Sequence, residues 1–229
     1  MKRSHAGLRI AVATLTVFFY IGSFAAAGQI TDNLKQVVDK VLTILKDPAY
    51  AAPEKKAERY RLIHEAASGT FEWEEMARRT LGPHWRDLST EQQKQFIDIF
   101  VDFLERTYIS KIELFLQESK DFTAKNISYL KETIEQERYA LVETKILLND
   151  KELPLNYKLI NKNGRWVVYD LTIEGVGLVA NYRTQFNDIL ANGSFTTLID
   201  KLKAKEEVGL PDKKPEQPAT AVQKASVKQ

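Results

Sequence analysis

Near Phe122 the hydrophobic period of this chain changes, and that change limits what it can fold into. Before that residue, apolar side chains recur every three or four positions, which is helical spacing. After it they alternate, in segments rich in β-branched and aromatic residues at Ile127 to Thr133, Arg138 to Leu148, Leu153 to Ile160 and Arg165 to Ile173. Asn149-Asp150-Lys151 and Asn161-Lys162-Asn163-Gly164 read as hairpin turns, the second with an Asn-Gly pair. Short turns between consecutive strands imply an antiparallel meander. Helical spacing resumes at about Gly177 to Leu190 and Phe195 to Lys205. Helices, a run of strands, then helices is an α+β layout with a four-stranded antiparallel sheet.

The helical half has its own punctuation. Ile30, Leu34, Val37, Val38, Val41, Leu42 and Leu45 form an amphipathic stripe, ended by Pro48. Pro53 stands where a first helical residue would and opens a charged helix to about Ala67. Thr70 is placed to cap a short helix that stops at Gly82-Pro83. Ser89 and Gln92 have capping-box spacing at the head of the longest helix, Thr90 to Leu116. That helix carries Phe96, Phe100, Phe103, Leu104, Tyr108, Ile112 and Phe115, and is apolar over more than half its circumference. A surface helix normally shows one stripe, so this one is either buried on both sides or shared between a core and a lined cavity. On the strands, Leu155, Tyr157 and Leu159 alternate onto one face. Val167, Tyr169, Leu171 and Ile173 are expected in one row, with Trp166 and Val168 in the other.

The two ends are different in kind from the middle. Lys2, Arg3 and Arg9 precede an apolar run from Ile10 to Phe24 and the small residues Ala25-Ala26-Ala27. This is the layout of a cleavable signal peptide over residues 1–27; the run is about 15 residues, against roughly 20 for a membrane span. Its removal takes three of the 33 Lys+Arg and none of the 31 Asp+Glu, leaving a net charge of −1. A near-neutral balance gives no reason to expect a nucleic-acid partner. The chain has 0 Cys, so an exported protein of this kind is held together by its core alone. Residues 208–229, with Pro211, Pro215 and Pro218 among Lys, Glu, Gln and Ala, read as a disordered tail. One folded domain over residues 28–207 remains.

Chemistry is sparse. His64 and His84 are isolated from each other and from acidic residues at ligand spacing, a poor metal site. There is no thiol, no Gly-x-Ser-x-Gly and no phosphate-cradling loop. Asp170 and Glu174 are the best acid/base pair on offer, but no nucleophile accompanies them, and Glu174 precedes a helix where a carboxylate is favoured anyway. Arg78, Arg79 and Arg183 read as ion-paired surface, or as a place for a partner or a lipid phosphate to dock. The segment Trp166 to Phe186 is bulky and free of catalytic motifs, a wall rather than a reaction centre.

Two separated stretches carry a family resemblance. Phe71-Glu72-Trp73-Glu74-Glu75-Met76-Ala77-Arg78 with Leu81-Gly82 and Trp85 is one. Trp166-Val167-Val168-Tyr169-Asp170, Ile173-Glu174-Gly175-Val176 and Asn181-Tyr182-Arg183-Thr184-Gln185-Phe186 make the other. Both resemble signatures of the MlaC family of periplasmic phospholipid-binding proteins, over about Thr31 to Lys203. Gly177 departs from the family, where Ser is common, and leaves the next helix without a side-chain cap. The resemblance implies a curved antiparallel sheet wrapped by helices, NTF2-like, around a deep apolar pocket for the acyl tails of a phospholipid. It implies a monomeric periplasmic carrier, not an enzyme, with lipid as cargo and no resident cofactor. Its partners would be an outer-membrane lipoprotein complex and an inner-membrane ABC transporter with an MCE-domain subunit, and its role the maintenance of outer-membrane lipid asymmetry. Tyr108 matches a pocket position of the family. Phe100, Leu104, Ile112, Val142, Tyr157, Trp166, Val168, Tyr169 and Val176 join it because they fall on apolar faces. A carrier of another apolar ligand such as a hopanoid-like lipid, an NTF2-like enzyme, and an interaction module without ligand are the competing readings.

Overall fold

The computed structural model describes residues 28–148 and 151–204. The expected signal segment, the Asn149-Asp150 part of the first hairpin turn and the expected tail lie outside the described residues. Six α-helices and five strands follow in the order α1 (Gln29–Lys46), α2 (Lys56–Ala67), α3 (Trp73–Leu81), α4 (Thr90–Glu118), β1 (Ile127–Glu135), β2 (Tyr139–Leu148), β3 (Lys151–Lys162), β4 (Arg165–Ile173), β5 (Val176–Gly177), α5 (Leu178–Asn192) and α6 (Phe195–Ala204). The strands form one antiparallel sheet in sequence order.

The sheet has five strands rather than the four expected. Glu174 and Gly175 both take positive φ, at 50° and 84°, which makes a tight two-residue reversal of the kind that suits a hairpin. The chain therefore folds back before it becomes helical, pairing Val176 with Ile173 and Gly177 with Thr172. The helix starts one residue later than expected, at Leu178, and Gly177 offers it no side-chain cap. The cap comes from the sheet: Val179 N donates to Asp170 Oδ1 at 2.9 Å, while Lys158 Nζ donates to Asp170 Oδ2 at 3.0 Å. Asp170 is thus a structural joint between β4 and α5, which accounts for a buried carboxylate without chemistry. Glu174 sits exposed in the turn.

A second departure concerns the expected rows of β4. Lys158 pairs with Asp170 but Leu159 pairs with Val168, so Tyr169 is the extra residue of a bulge. The phase flips there. Val168, opposite Leu159, and Leu171, opposite Tyr157, share one face, where strict alternation would separate them.

Thr70 does not cap α3. Thr70 O accepts from Val168 N at 2.7 Å and Glu72 N donates to Val168 O at 2.8 Å, so Phe71 runs alongside β4 as a parallel bridge. The helix begins at Trp73 behind it. Together with β5, this stitch covers the outer edge of β4. At the other side of the sheet β1 is the edge strand, with a register slip between Tyr129 and Lys131. The capping box at Ser89 forms as read, with Gln92 N donating to Ser89 Oγ at 3.2 Å and Ser89 N to Gln92 Oε1 at 2.9 Å.

Candidate functional site

The two ends of α4 face different surroundings. Its first half is closed: Phe96, Phe100, Phe103 and Leu104 are buried among Met76 and Leu81 of α3, Tyr182 and Phe186 of α5, and Leu198 and Leu202 of α6. Phe100 meets the ring of Tyr182 edge-on at 5.8 Å and that of Phe186 at 5.7 Å, a geometry that favours aromatic pairs. Leu104 is buried in the same cluster, and Tyr108 packs half-buried against it.

Beyond Tyr108 the apolar residues lose their cover. Ile109 is buried, but Phe115 and Leu116 are half-buried, Ile112 is 37% exposed and Leu114 is 58% exposed. The far half of α1 matches this, with Val37, Val38, Val41, Leu42, Ile44 and Leu45 all half-buried and outside both hydrophobic clusters. The two helix ends converge through Phe122, whose ring meets Phe115 edge-on at 5.0 Å while its carbonyl accepts from Lys46 Nζ at 2.7 Å.

The sheet contributes a second core. Val142, Tyr157, Leu159 and Val168 are buried with Ile30 and Leu34 of α1, and Trp166 packs half-buried against them. Burial pushes the Tyr157 hydroxyl well above its ordinary range. Tyr169, on the bulge, packs half-buried against the helical core, with the Arg79 guanidinium 4.3 Å from its ring centre and the Tyr139 ring at 6.1 Å. Val176, on β5, is half-buried opposite Ile173. The residues singled out from the sequence are therefore distributed. Phe100 and Leu104 sit inside the helical core, with Tyr108 at its margin and Ile112 beyond it. Val142, Tyr157, Trp166 and Val168 belong to the sheet core. The far half of α1 and Phe115 are not among the residues singled out, although the stripe from Ile30 to Leu45 is legible as an amphipathic helix.

The ionisable groups are mostly structural. Glu75 is buried; burial alone would raise its carboxyl, but Arg78 at 2.6 Å and Arg79 at 2.7 Å outweigh that and hold it below the usual carboxylate range. Arg183 Nε donates to Arg79 O at 2.7 Å, so these arginines tie α3 to α5 as well as facing solvent. His64 Nδ1 lies 2.6 Å from Glu105, and His84 Nε2 3.2 Å from Asn187 Oδ1. Burial raises the Glu105 carboxyl despite that histidine. Arg59 of α2 and Glu113 of α4 form a well-covered ion pair at 2.6 Å, their side chains 12% and 17% exposed. The Tyr182 hydroxyl is buried beside that of Tyr108, and burial pushes it far up. Among the described residues, no group of three or more His, Cys, Asp and Glu is placed to hold a metal ion, and no helix is long and apolar enough to cross a membrane.

Two concavities stand out among the described residues. One of about 540 Å³ lies between the outer side of α1 (Asp39, Leu42, Thr43, Lys46) and Thr123-Ala124. The other, about 300 Å³, lies between Leu81, Leu88, Leu190 and Phe195. Neither is a deep apolar pocket between sheet and helices.

The structure is similar to that of a phospholipid-binding protein from Ralstonia solanacearum solved in complex with a phospholipid, with a TM-score of 0.63 and 24% identity over 76% of this chain and 94% of that one. At that identity the likeness speaks for the fold. No curated protein matches the sequence. The family model of the MlaC protein matches residues 35–204, from the first turns of α1 to the end of α6. With most of its length matched in this way, the chain belongs to the MlaC family.

Proposed function

We propose that this protein is a periplasmic phospholipid carrier that moves single lipids between an outer-membrane lipoprotein complex and an inner-membrane ABC transporter with an MCE-domain subunit, and so maintains outer-membrane lipid asymmetry. The observation that carries this reading is the MlaC match across the folded domain. It is supported by the Ralstonia protein of like fold, which was solved with a phospholipid bound, and by the half-covered apolar side chains on α1 and on α4.

The physical demand on such a carrier is large and simple. Two acyl chains hold roughly 30 methylenes at about 0.8 kcal/mol each, so about 24 kcal/mol opposes leaving them in water. Transfer proceeds because donor, carrier and acceptor all bury the tails and the large terms cancel. The carrier needs adjustable apolar surface and no nucleophile, base or resident cofactor, so the reading is of a binding protein rather than an enzyme.

In this reading Tyr108 and Ile112 meet the tails from α4. Val142, Tyr157, Trp166 and Val168 form the sheet wall, Val176 its rim. Phe100 and Leu104 back Tyr108 from within the core, and Tyr169 beside Arg79 stands where a head group emerges. Lipid extraction of the purified mature protein followed by mass spectrometry tests the carrier; an extract without phospholipid overturns it. Tyr108→Asp should lose the co-purifying lipid while keeping the fold, and unchanged occupancy would remove Tyr108 from the site.

A further inference from the structure

We propose that the α1–α2 hairpin is a hinged cover, latched to α4 by the Arg59–Glu113 ion pair, and that its opening admits the acyl tails. The inference rests on the carrier reading for its purpose, though not for its geometry.

The hairpin is fastened to the sheet at two places, and at the far end of α1 Lys46 Nζ donates to Phe122 O at 2.7 Å and Lys120 O at 3.4 Å. At its start, Glu132 of β1 accepts from Gly28 N at 3.1 Å, Thr31 N at 3.0 Å and Thr31 Oγ1 at 2.6 Å, next to the buried Ile30 and Leu34. At its end, Thr70 and Glu72 are bonded to Val168. Just before that second fastening stands Gly69 at φ 80°, a left-handed conformation that glycine adopts without strain and that makes a natural pivot.

Between the fastenings the side-chain bonds from α2 to α4 are polar. Arg59 pairs with Glu113, Tyr60 OH donates to Glu113 Oε2 at 3.5 Å, and His64 meets Glu105. The buried residues of α2, Ile63 and Ala66, belong to neither hydrophobic cluster. Arg59 also donates to the carbonyl of Tyr50, yet its Nε is buried without a partner. A covered charge pair that is incompletely satisfied holds two surfaces in register while adding little net stability. The far half of α1 and α4 beyond Tyr108 carry half-covered apolar residues. Firm ends, a polar middle and unfinished apolar packing on α1 and α4 are what a cover needs if it is to lift as one piece and close again over tails of varying length.

The chain has 0 Cys, so spin labels can be placed at will. One pair at Glu65→Cys on α2 and Lys111→Cys on α4 reads the cover; a control pair at Asp98→Cys on α4 and Asp200→Cys on α6 reads the closed core. Breaking the latch with Glu113→Gln, and separately with Arg59→Met, should broaden and lengthen the first distance distribution and leave the control unchanged, with circular dichroism reporting the fold. The same variants should take up fluorescent phosphatidylglycerol from vesicles faster by about tenfold, or about 1.4 kcal/mol in barrier. An unchanged α2–α4 distribution in either folded variant overturns the cover. Uptake no faster than that of the parent, with the distribution broadened, overturns its role as the gate. Absence of phospholipid from the purified parent counts against the carrier reading alone, because the distance measurement does not require lipid.

Discussion

The first half of α4 and its second half are one continuous helix with opposite packing. Around Phe96 to Leu104, rings and aliphatic side chains from α3, α5 and α6 bury Phe96, Phe100, Phe103 and Leu104. Around Ile112 to Leu116, side chains of the same chemical kind are half-covered or exposed, and the far half of α1 is half-covered too. Hydrophobicity alone does not distinguish the two; the number of neighbouring elements does. A carrier can afford to be rigid where it holds no cargo and must stay adjustable where it does, because a site already at interior packing density has no room for tails.

Substitutions in the two halves should therefore separate stability from occupancy. The largest loss is expected from Phe100→Ala, at about 3–5 kcal/mol, read as a lower calorimetric Tm with lipid per folded molecule unchanged; lost occupancy would merge the halves. Asp170→Ala removes the acceptor for Val179 N and the partner of Lys158; about 1–3 kcal/mol follows, and hydrogen exchange should quicken first at the start of α5. Ser89→Ala breaks the capping box and should cost about 1 kcal/mol in urea denaturation. Glu75→Gln gives a smaller, pH-dependent effect. Its carboxyl is held below the ordinary 4.5 by Arg78 and Arg79, so its contribution is complete above that pH and fades as the pH falls through the lower folded value. The stability gap between parent and Glu75→Gln should accordingly be widest near neutrality and narrow in acid; a gap that widens in acid would contradict the arginine clamp. Ile112→Asp should shift stability by no more than about 0.5 kcal/mol and still deplete bound lipid on extraction.

Much of this arrangement was legible in the amino-acid order. The change of period at Phe122, the Asn-Gly turn and the Ser89–Gln92 spacing all became the elements they announced. What escaped was non-local. The fifth strand depends on Glu174 taking a left-handed conformation that a glutamate rarely adopts. The bulge at Tyr169 inverted the expected rows of β4 because pairing with β3, not alternation along one strand, sets the phase. Thr70 looked like a cap but serves an edge 98 residues away, at Val168. The candidate lining was least legible, since Phe100 and Ile112 lie on apolar faces of one helix and differ only in what stands opposite.

The stitch at Thr70 to Glu72 also bears on how copies of the protein avoid one another. With β4 shielded by that stitch and by β5, the long open margin of the sheet is β1. That margin is kinked at Leu130 and carries Lys131, Glu132 and Glu135. A broken, charged margin is a poor template for strand-to-strand association. A protein without disulfides, exposing Leu130 and Ile134 on this strand, thereby guards against clumping by interrupting an edge where a neighbouring chain could add a strand.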